Sequence, residues 1–123
     1  MPAYKDRVKA YRLGIMAEYL AAAFLILKRY RILNRRYRCR EGEIDIIARK
    51  GDNIVFIEVK IRKSADDALE AVRPASQRRI SRAALHYMSA FGKPEGFSQR
   101  FDVIAVSPPL IIKHIKNAWF AAI

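Results

Sequence analysis

Leu13, Ala17, Leu20, Phe24 and Leu27 recur four, three, four and three residues apart, and Ala21, Ala22 and Ala23 between them favour helix. This spacing predicts a helix over residues 8–28 whose apolar stripe packs on a core. Residues 30–40 follow as a basic stretch in which Ile32 and Leu33 mark a first strand. The period then changes to two: residues 43–49 and 53–61 alternate on either side of Gly51-Asp52, the composition of a two-residue hairpin turn. Residues 64–70 are polar and read as a loop with a short helical turn. Pro74 opens a second helix, in which Ile80, Ala84, Tyr87, Met88 and Phe91 share one face while Arg78, Arg79 and Arg82 lie largely off it. Gly92, Pro94 and Gly96 end that helix. Residues 100–106, "RFDVIAV", and 110–115, "LIIKHI", separated by Pro108-Pro109, read as two closing strands. The order is helix, three strands, helix, two strands, with no repeat and no linker long enough to divide residues 1–123 into two domains.

One feature of this pattern is out of place. The strand 53–61 is apolar on both faces, with Ile54 and Phe56 on one and Val55, Ile57, Val59 and Ile61 on the other, yet it carries Glu58 and Lys60. If Gly51 and Asp52 form a two-residue turn, Lys50 pairs with Asn53. Counting back then puts Ile47 opposite Phe56, Asp45 opposite Glu58 and Glu43 opposite Lys60. Two carboxylates facing each other across a ladder repel unless something compensates them. A divalent cation would do so, and hard oxygen donors at that separation suit Mg²⁺, with Lys60 placed to orient a water or offset phosphate charge. The other reading is a cross-strand ion pair between Glu43 and Lys60, with Asp45 and Glu58 at a solvated sheet end.

Charge narrows the partner. The 123 residues carry 24 Lys and Arg against 12 Asp and Glu, a formal net charge of +12, and the excess is clustered: seven of the thirteen residues 28–40 are Lys or Arg. A polyanion, with nucleic acid first, is the partner this balance implies. The hydrophobic fraction of 52% supports a folded core. Cys39, alone, excludes an internal disulfide, fits a reducing compartment and reads as a small apolar filler. The least polar early run, residues 15–27, is thirteen residues long and interrupted by Glu18, short of a membrane span, so a cytoplasmic protein without a membrane partner is expected.

Other residues divide between site and scaffold. Glu18 shares its helix face with Gly14, Ala21 and Ala22, small residues that leave room for a close neighbour, or else it lies on the outer face. Gln77, near the start of the basic helix, could bond a phosphate or water, or be an exposed helix residue. Asp102, in the "RFDV" strand, either joins the site or, the better reading, pairs with Arg100 or another local base. His86 and His114 have no partner at ligand spacing and read as structural. Tyr30 and Tyr37 either stack on bases or cover the sheet edge. Neither a Ser/His/Asp arrangement nor a phosphate-cradling glycine loop is present.

At "AEYLAA", "GEIDIIA", "VFIEVKIR", "EAV", "QRRISRAALHY", "RFDVIAV" and "IKHIKNAWF", stretches that span nearly the whole chain, the sequence resembles the YraN family of small bacterial proteins. That family has a restriction-endonuclease-like fold related to archaeal Holliday junction resolvases. The resemblance implies an α/β fold with a mixed central sheet flanked by helices and a metal-dependent nuclease-type site at one end. Carried onto this chain, the family's residues match Glu18, Asp45, Glu58, Lys60 and Gln77. On this expectation Asp45 and Glu58, with a backbone carbonyl from Val59, hold Mg²⁺ or Mn²⁺; Glu18 binds a second metal or the water; Lys60 positions the attacking water; and Gln77 assists. Arg29, Arg31, Arg35, Arg36, Arg38 and Arg40, with Arg78, Arg79 and Arg82, would grip the backbone of DNA, branched or otherwise structured. By analogy with the resolvases, a homodimer is also implied. Fold does not imply activity, so the rival is a nucleic-acid-binding module that keeps the fold and the charge without hydrolysis.

Overall fold

The computed structural model describes residues 3–92 and 96–121. Its elements are α1 (Tyr4–Leu27), β1 (Arg31–Cys39), β2 (Gly42–Lys50), β3 (Asn53–Ile61), α2 (Ala65–Ala71), α3 (Pro74–Phe91), β4 (Ser98–Ser107) and β5 (Ile111–Trp119). The five strands form one sheet in the order β1-β2-β3-β4-β5, antiparallel except where β3 and β4 run parallel. A parallel pair needs a crossover, and α2 and α3 supply it. This is the mixed α/β, nuclease-like sheet expected. Pro94, invoked as part of the α3 stop, lies outside the described residues; Gly92 ends the helix with a φ of 78°, a conformation open to glycine.

The segment read as a loop with a helical turn forms the short helix α2. Ser64 caps it, its Oγ accepting from the Asp67 N–H at 3.1 Å.

Each face of the sheet carries its own core. Ile54 and Phe56 join Tyr37, Ile44, Ile47, Ile80, Ala84 and Met88 on the α3 side, while Val55 and Ile57 join Ala17, Ala21, Leu25, Tyr30, Ile46 and Ile104 on the α1 side. The alternation read along β3 therefore holds on both faces. Tyr30 and Tyr37 are buried parts of these cores rather than base-stacking platforms, and Cys39 packs against the α3-side cluster.

The buried stripe of α1 differs from the one its spacing suggested. Ala17, Ala21, Ala22 and Leu25 are buried, whereas Leu13 is 43% and Leu27 84% exposed. Apolar residues surround this helix, so periodicity could not choose a face; the small residues do, by letting the backbone approach the sheet closely. At 24 residues α1 is also longer than the thirteen-residue run, and by length and composition alone it could cross a bilayer. Here it covers one face of the sheet.

Asp102, fully buried on β4, is held as its sequence context suggested. Arg100 donates to both carboxylate oxygens at 2.9 and 2.8 Å, His114 Nε2 lies 2.7 Å from Oδ2, and the Asn117 N–H donates to Oδ1 at 2.9 Å. Burial alone would push this carboxyl up, but the bonds from His114, Arg100 and Asn117 outweigh it and hold it below the ordinary value. His114 is structural in this sense, and His86 bonds the Tyr37 hydroxyl through Nδ1.

If the small residues set the α1–sheet distance, Ala21→Leu overpacks that contact. It should cost about 1–3 kcal/mol in urea denaturation, whereas Leu27→Ala should stay within about 0.5 kcal/mol.

Candidate active site

The hairpin register counted through Gly51-Asp52 is the one observed, from Lys50 opposite Asn53 through Ile47 opposite Phe56 to Ile46 opposite Ile57. Beyond that pair the backbone ladder stops and side chains take over. The Val59 N–H donates to Asp45 Oδ2 at 2.8 Å, and the Asp45 N–H donates to Glu58 Oε1 at 3.4 Å. Each carboxylate thus binds the backbone of the opposite strand, which fixes the two side chains against each other at the carboxyl end of β3.

The strands kink where this happens. Ile44 belongs to the α3-side core and Ile46 to the α1-side core, although an unbroken strand would point both the same way. On β1, Arg35 pairs with Ile46 and Tyr37 with Ile44, and Arg36 between them has a φ of 54°. A left-handed arginine is uncommon and carries strain. Its side chain answers with an ion pair, Arg36 Nε to Glu18 Oε1 at 2.9 Å.

Glu18 therefore faces the sheet end, as its small neighbours allowed, and does not lie on an outer face. Glu18, Asp45, Glu58 and Lys60 line one cleft of about 480 Å³, together with Gly14 of α1 and Arg62 after β3. A second hollow of about 220 Å³ shares Gly14, Glu18 and Asp45 and opens toward Arg36 and Arg38. Burial, with the charge of Glu18 adding to it, pushes Asp45 up to about 6 against the bond from Val59. Burial first and the charge of Asp45 second push Glu58 up to about 8. Lys60 acts the other way on both. At neutral pH the pair therefore keeps a proton that two ordinary carboxylates would have lost.

Some expected members stand elsewhere. Glu43 does not meet Lys60: the β2–β3 ladder ends too early, and Glu43 instead pairs with Arg38 across β1–β2 at 3.0 Å on the surface. Gln77 does not line the cleft; its amide donates to the Val72 carbonyl at 3.0 Å and ties the start of α3 to the end of α2. Among the described residues no group of three or more His, Cys, Asp and Glu gathers as a ready metal site. Val59 enters the site through its N–H. Arg29, Arg31, Arg35, Arg38 and Arg40 are exposed on or beside edge strand β1, and Arg78, Arg79 and Arg82 are exposed on α3. Arg35 lies 4.3 Å from the centre of the Tyr19 ring. Arg36, read from the sequence only as one of many phosphate contacts, is the residue whose particular place was missed; nothing in a run of arginines marks which of them turn left-handed, as Arg29 also does with a φ of 68°.

A five-stranded mixed sheet with helices on both faces is a mixed α/β architecture consistent with the nuclease-like class. Within that class the chain belongs to the uncharacterised protein family UPF0102, the YraN family, whose model matches residues 17–106. It is 51% identical to a UPF0102 protein of Mesorhizobium japonicum, an alignment covering 94% of this chain and 92% of the relative. It is 48% identical to one from a Bradyrhizobium species, covering 98% and 89%, and 47% identical to one from Rhizobium etli, covering 92% and 93%.

The raised carboxyls set the direction of a pH dependence. The folded state holds its proton on Glu58 more tightly than the unfolded chain does. Without divalent cations, stability is therefore lost as pH climbs from the ordinary carboxylate range to about 8. Glu58→Gln should remove that slope. At pH 8 in EDTA it should raise the melting temperature by roughly 3–10 °C, as for many substitutions of costly site residues. Thermal melts of both proteins at pH 5 and pH 8 check this, the two converging at pH 5.

Proposed function

We propose that this chain is a metal-dependent nuclease that hydrolyses phosphodiester bonds in DNA, structured or branched forms included. The observation that carries the reading is the opposed pair Asp45 and Glu58, fixed to each other's backbone in a cleft that Glu18 and Lys60 share.

The donor set fits a hard divalent ion. Each carboxylate commits one oxygen to a backbone N–H and keeps the other for a cation, and Mg²⁺ or Mn²⁺ is commonly held by one or two carboxylates plus water and phosphate oxygens. Asp45 and Glu58 would be the residues that hold it. When bound, such an ion would polarise the phosphodiester and offset charge developing on phosphorus.

The chain's own groups supply the rest. Lys60, on the same cleft, orients the attacking water and faces the phosphate with its charge. Arg36 can give up Glu18 for a phosphate oxygen, which frees the Glu18 carboxylate toward the cleft. The exposed arginines of β1 and α3 hold the DNA backbone by charge rather than by base identity.

A second reading has an observation in its favour. Since no three ligating side chains gather among the described residues and Glu18 is tied to Arg36, the same fold and charge also suit a nucleic-acid binder that does not hydrolyse.

The two part on one assay. Wild type, Glu58→Ala and Lys60→Ala are compared on duplex, single-stranded and four-way-junction DNA with Mg²⁺, Mn²⁺ or EDTA. The nuclease reading expects metal-dependent cleavage reduced about 10²-fold or more by either substitution. Binding without cleavage, or cleavage indifferent to both changes, selects the binder. Added Mn²⁺ should also raise the melting temperature of wild type more at pH 8 than at pH 6, because the ion competes with a proton on Glu58, and this gain should vanish in Glu58→Ala.

A further inference from the structure

At the far end of α1 from the cleft, cations gather that the nuclease reading leaves without a role. Lys28 Nζ lies 2.8 Å from His114 Nδ1, and His114, with a side chain only 3% exposed, passes the contact on to Asp102 at 2.7 Å. Arg100 grips Asp102 and also donates to the Tyr30 hydroxyl at 2.7 Å. Lys50 Nζ donates to the Lys28 carbonyl at 3.0 Å and stands 4.9 Å from the centre of the Tyr30 ring. Lys28 lies 5.0 Å from the centre of the Phe24 ring. Lys116 follows His114 by two residues on β5, on the same side of the strand, and burial, then the charges of Lys116 and Lys50, lower the Lys28 ammonium below its ordinary value.

The charges here do not balance. Lys28, Lys50, Lys116 and Arg100 meet one carboxylate, Asp102, which Arg100 and His114 already engage. The C-terminus of α1 adds about half a negative charge. Lys28, Lys50, Lys116 and Arg100 set against Asp102 and the helix end leave an excess of about two and a half positive charges. Lys28 and Lys50 are held by hydrogen bonds and rings, which reduces the entropy an anion must freeze out when it binds them.

We propose that Lys28, Lys50 and Lys116 form a second phosphate-binding site, which takes a backbone phosphate of the same nucleic acid that enters the cleft. The proposal rests on the nucleic-acid reading for its ligand and not on hydrolysis. Two rulers give its spacing. Glu18 and Lys28 are separated by roughly 15 Å of helix at 1.5 Å per residue, and Asn53, beside Lys50, is roughly 17 Å of strand from Glu58. At 3.4 Å per base pair along the axis, that span is about five base pairs of duplex.

The test is a salt titration of duplex affinity in EDTA, read by fluorescence anisotropy on a duplex of about 16 base pairs, long enough to reach both sites. Lys50→Ala/Lys116→Ala, two exposed positions, should weaken binding roughly three- to thirtyfold and reduce the slope of log affinity against log salt by about one to two. Lys50→Arg/Lys116→Arg should restore both. Glu70→Gln, an exposed change on α2 outside both sites, should keep the wild-type slope. Equal slopes for wild type and the double alanine variant overturn the site while leaving the nuclease reading standing. A reduced slope in a protein that never cleaves supports the site and removes the nuclease reading. Two control arms exclude other anions: inorganic phosphate, and vesicles of phosphatidylcholine with a fifth of phosphatidylserine. If either binds through Lys50 and Lys116 while duplex affinity is unchanged by their loss, the nucleic-acid assignment is overturned.

Discussion

Two carboxylates cannot share a partly buried cleft without a counter-charge, and the sheet is built so that Asp45 and Glu58 have to. The hairpin brings them together, and reciprocal bonds to backbone N–H groups replace the ladder at that point. Neither side chain can then turn away without leaving a backbone donor unpaired. Burial first, and for Glu58 the charge of Asp45 after it, then appear as a retained proton. The left-handed Arg36 and the small-residue face of α1 belong to the same arrangement, since they bring Glu18 to the edge of the cleft.

Asp102 makes the contrast plain. It too interrupts a ladder, at the β4–β5 irregularity between Phe101 and Val103, and it too accepts a backbone N–H from the neighbouring strand. Arg100 and His114 complete its needs inside the protein, so its carboxyl stays low and ionised. Asp45 and Glu58 have the backbone bonds, but the charge of Lys60 beside them does not outweigh their burial. An ionised carboxylate bonded to Arg100 and His114 stands at one place in the sheet and a proton-retaining pair at another, and the difference is the cations bonded to each.

Much of this was legible in the sequence because strand geometry leaves few choices. Gly51-Asp52 fixes a two-residue turn, and from there the count to Ile46 opposite Ile57 has only one solution. The count failed where side chains displaced the ladder: it put Glu43 against Lys60, and Glu43 met Arg38. Helix faces were less readable. In α1 both stripes were apolar; the preference of a close-packed contact for alanine marks Ala17, Ala21 and Ala22 as the face that meets the sheet, but nothing in the spacing separates the buried Leu25 from the exposed Leu13 and Leu27. Gln77 looked like a site residue because it precedes a run of arginines, but a bond to Val72 had already claimed its amide. The pairing of Asp102 with Arg100 was readable because the two stand side by side on one strand face.

The arginines of β1 have one further consequence, for how copies of this chain meet. A sheet with β1 and β5 at its margins exposes two rows of backbone donors and acceptors to which another strand could be added. One margin carries Arg31, Arg35, Arg36, Arg38 and Arg40 on or next to it, and the other carries Lys113, His114 and Lys116. Bringing either margin against its counterpart in a second molecule sets like charges across a strand spacing of about 4.8 Å. The basic residues proposed above to hold a polyanion would therefore also oppose edge-to-edge growth of the sheet into an aggregate.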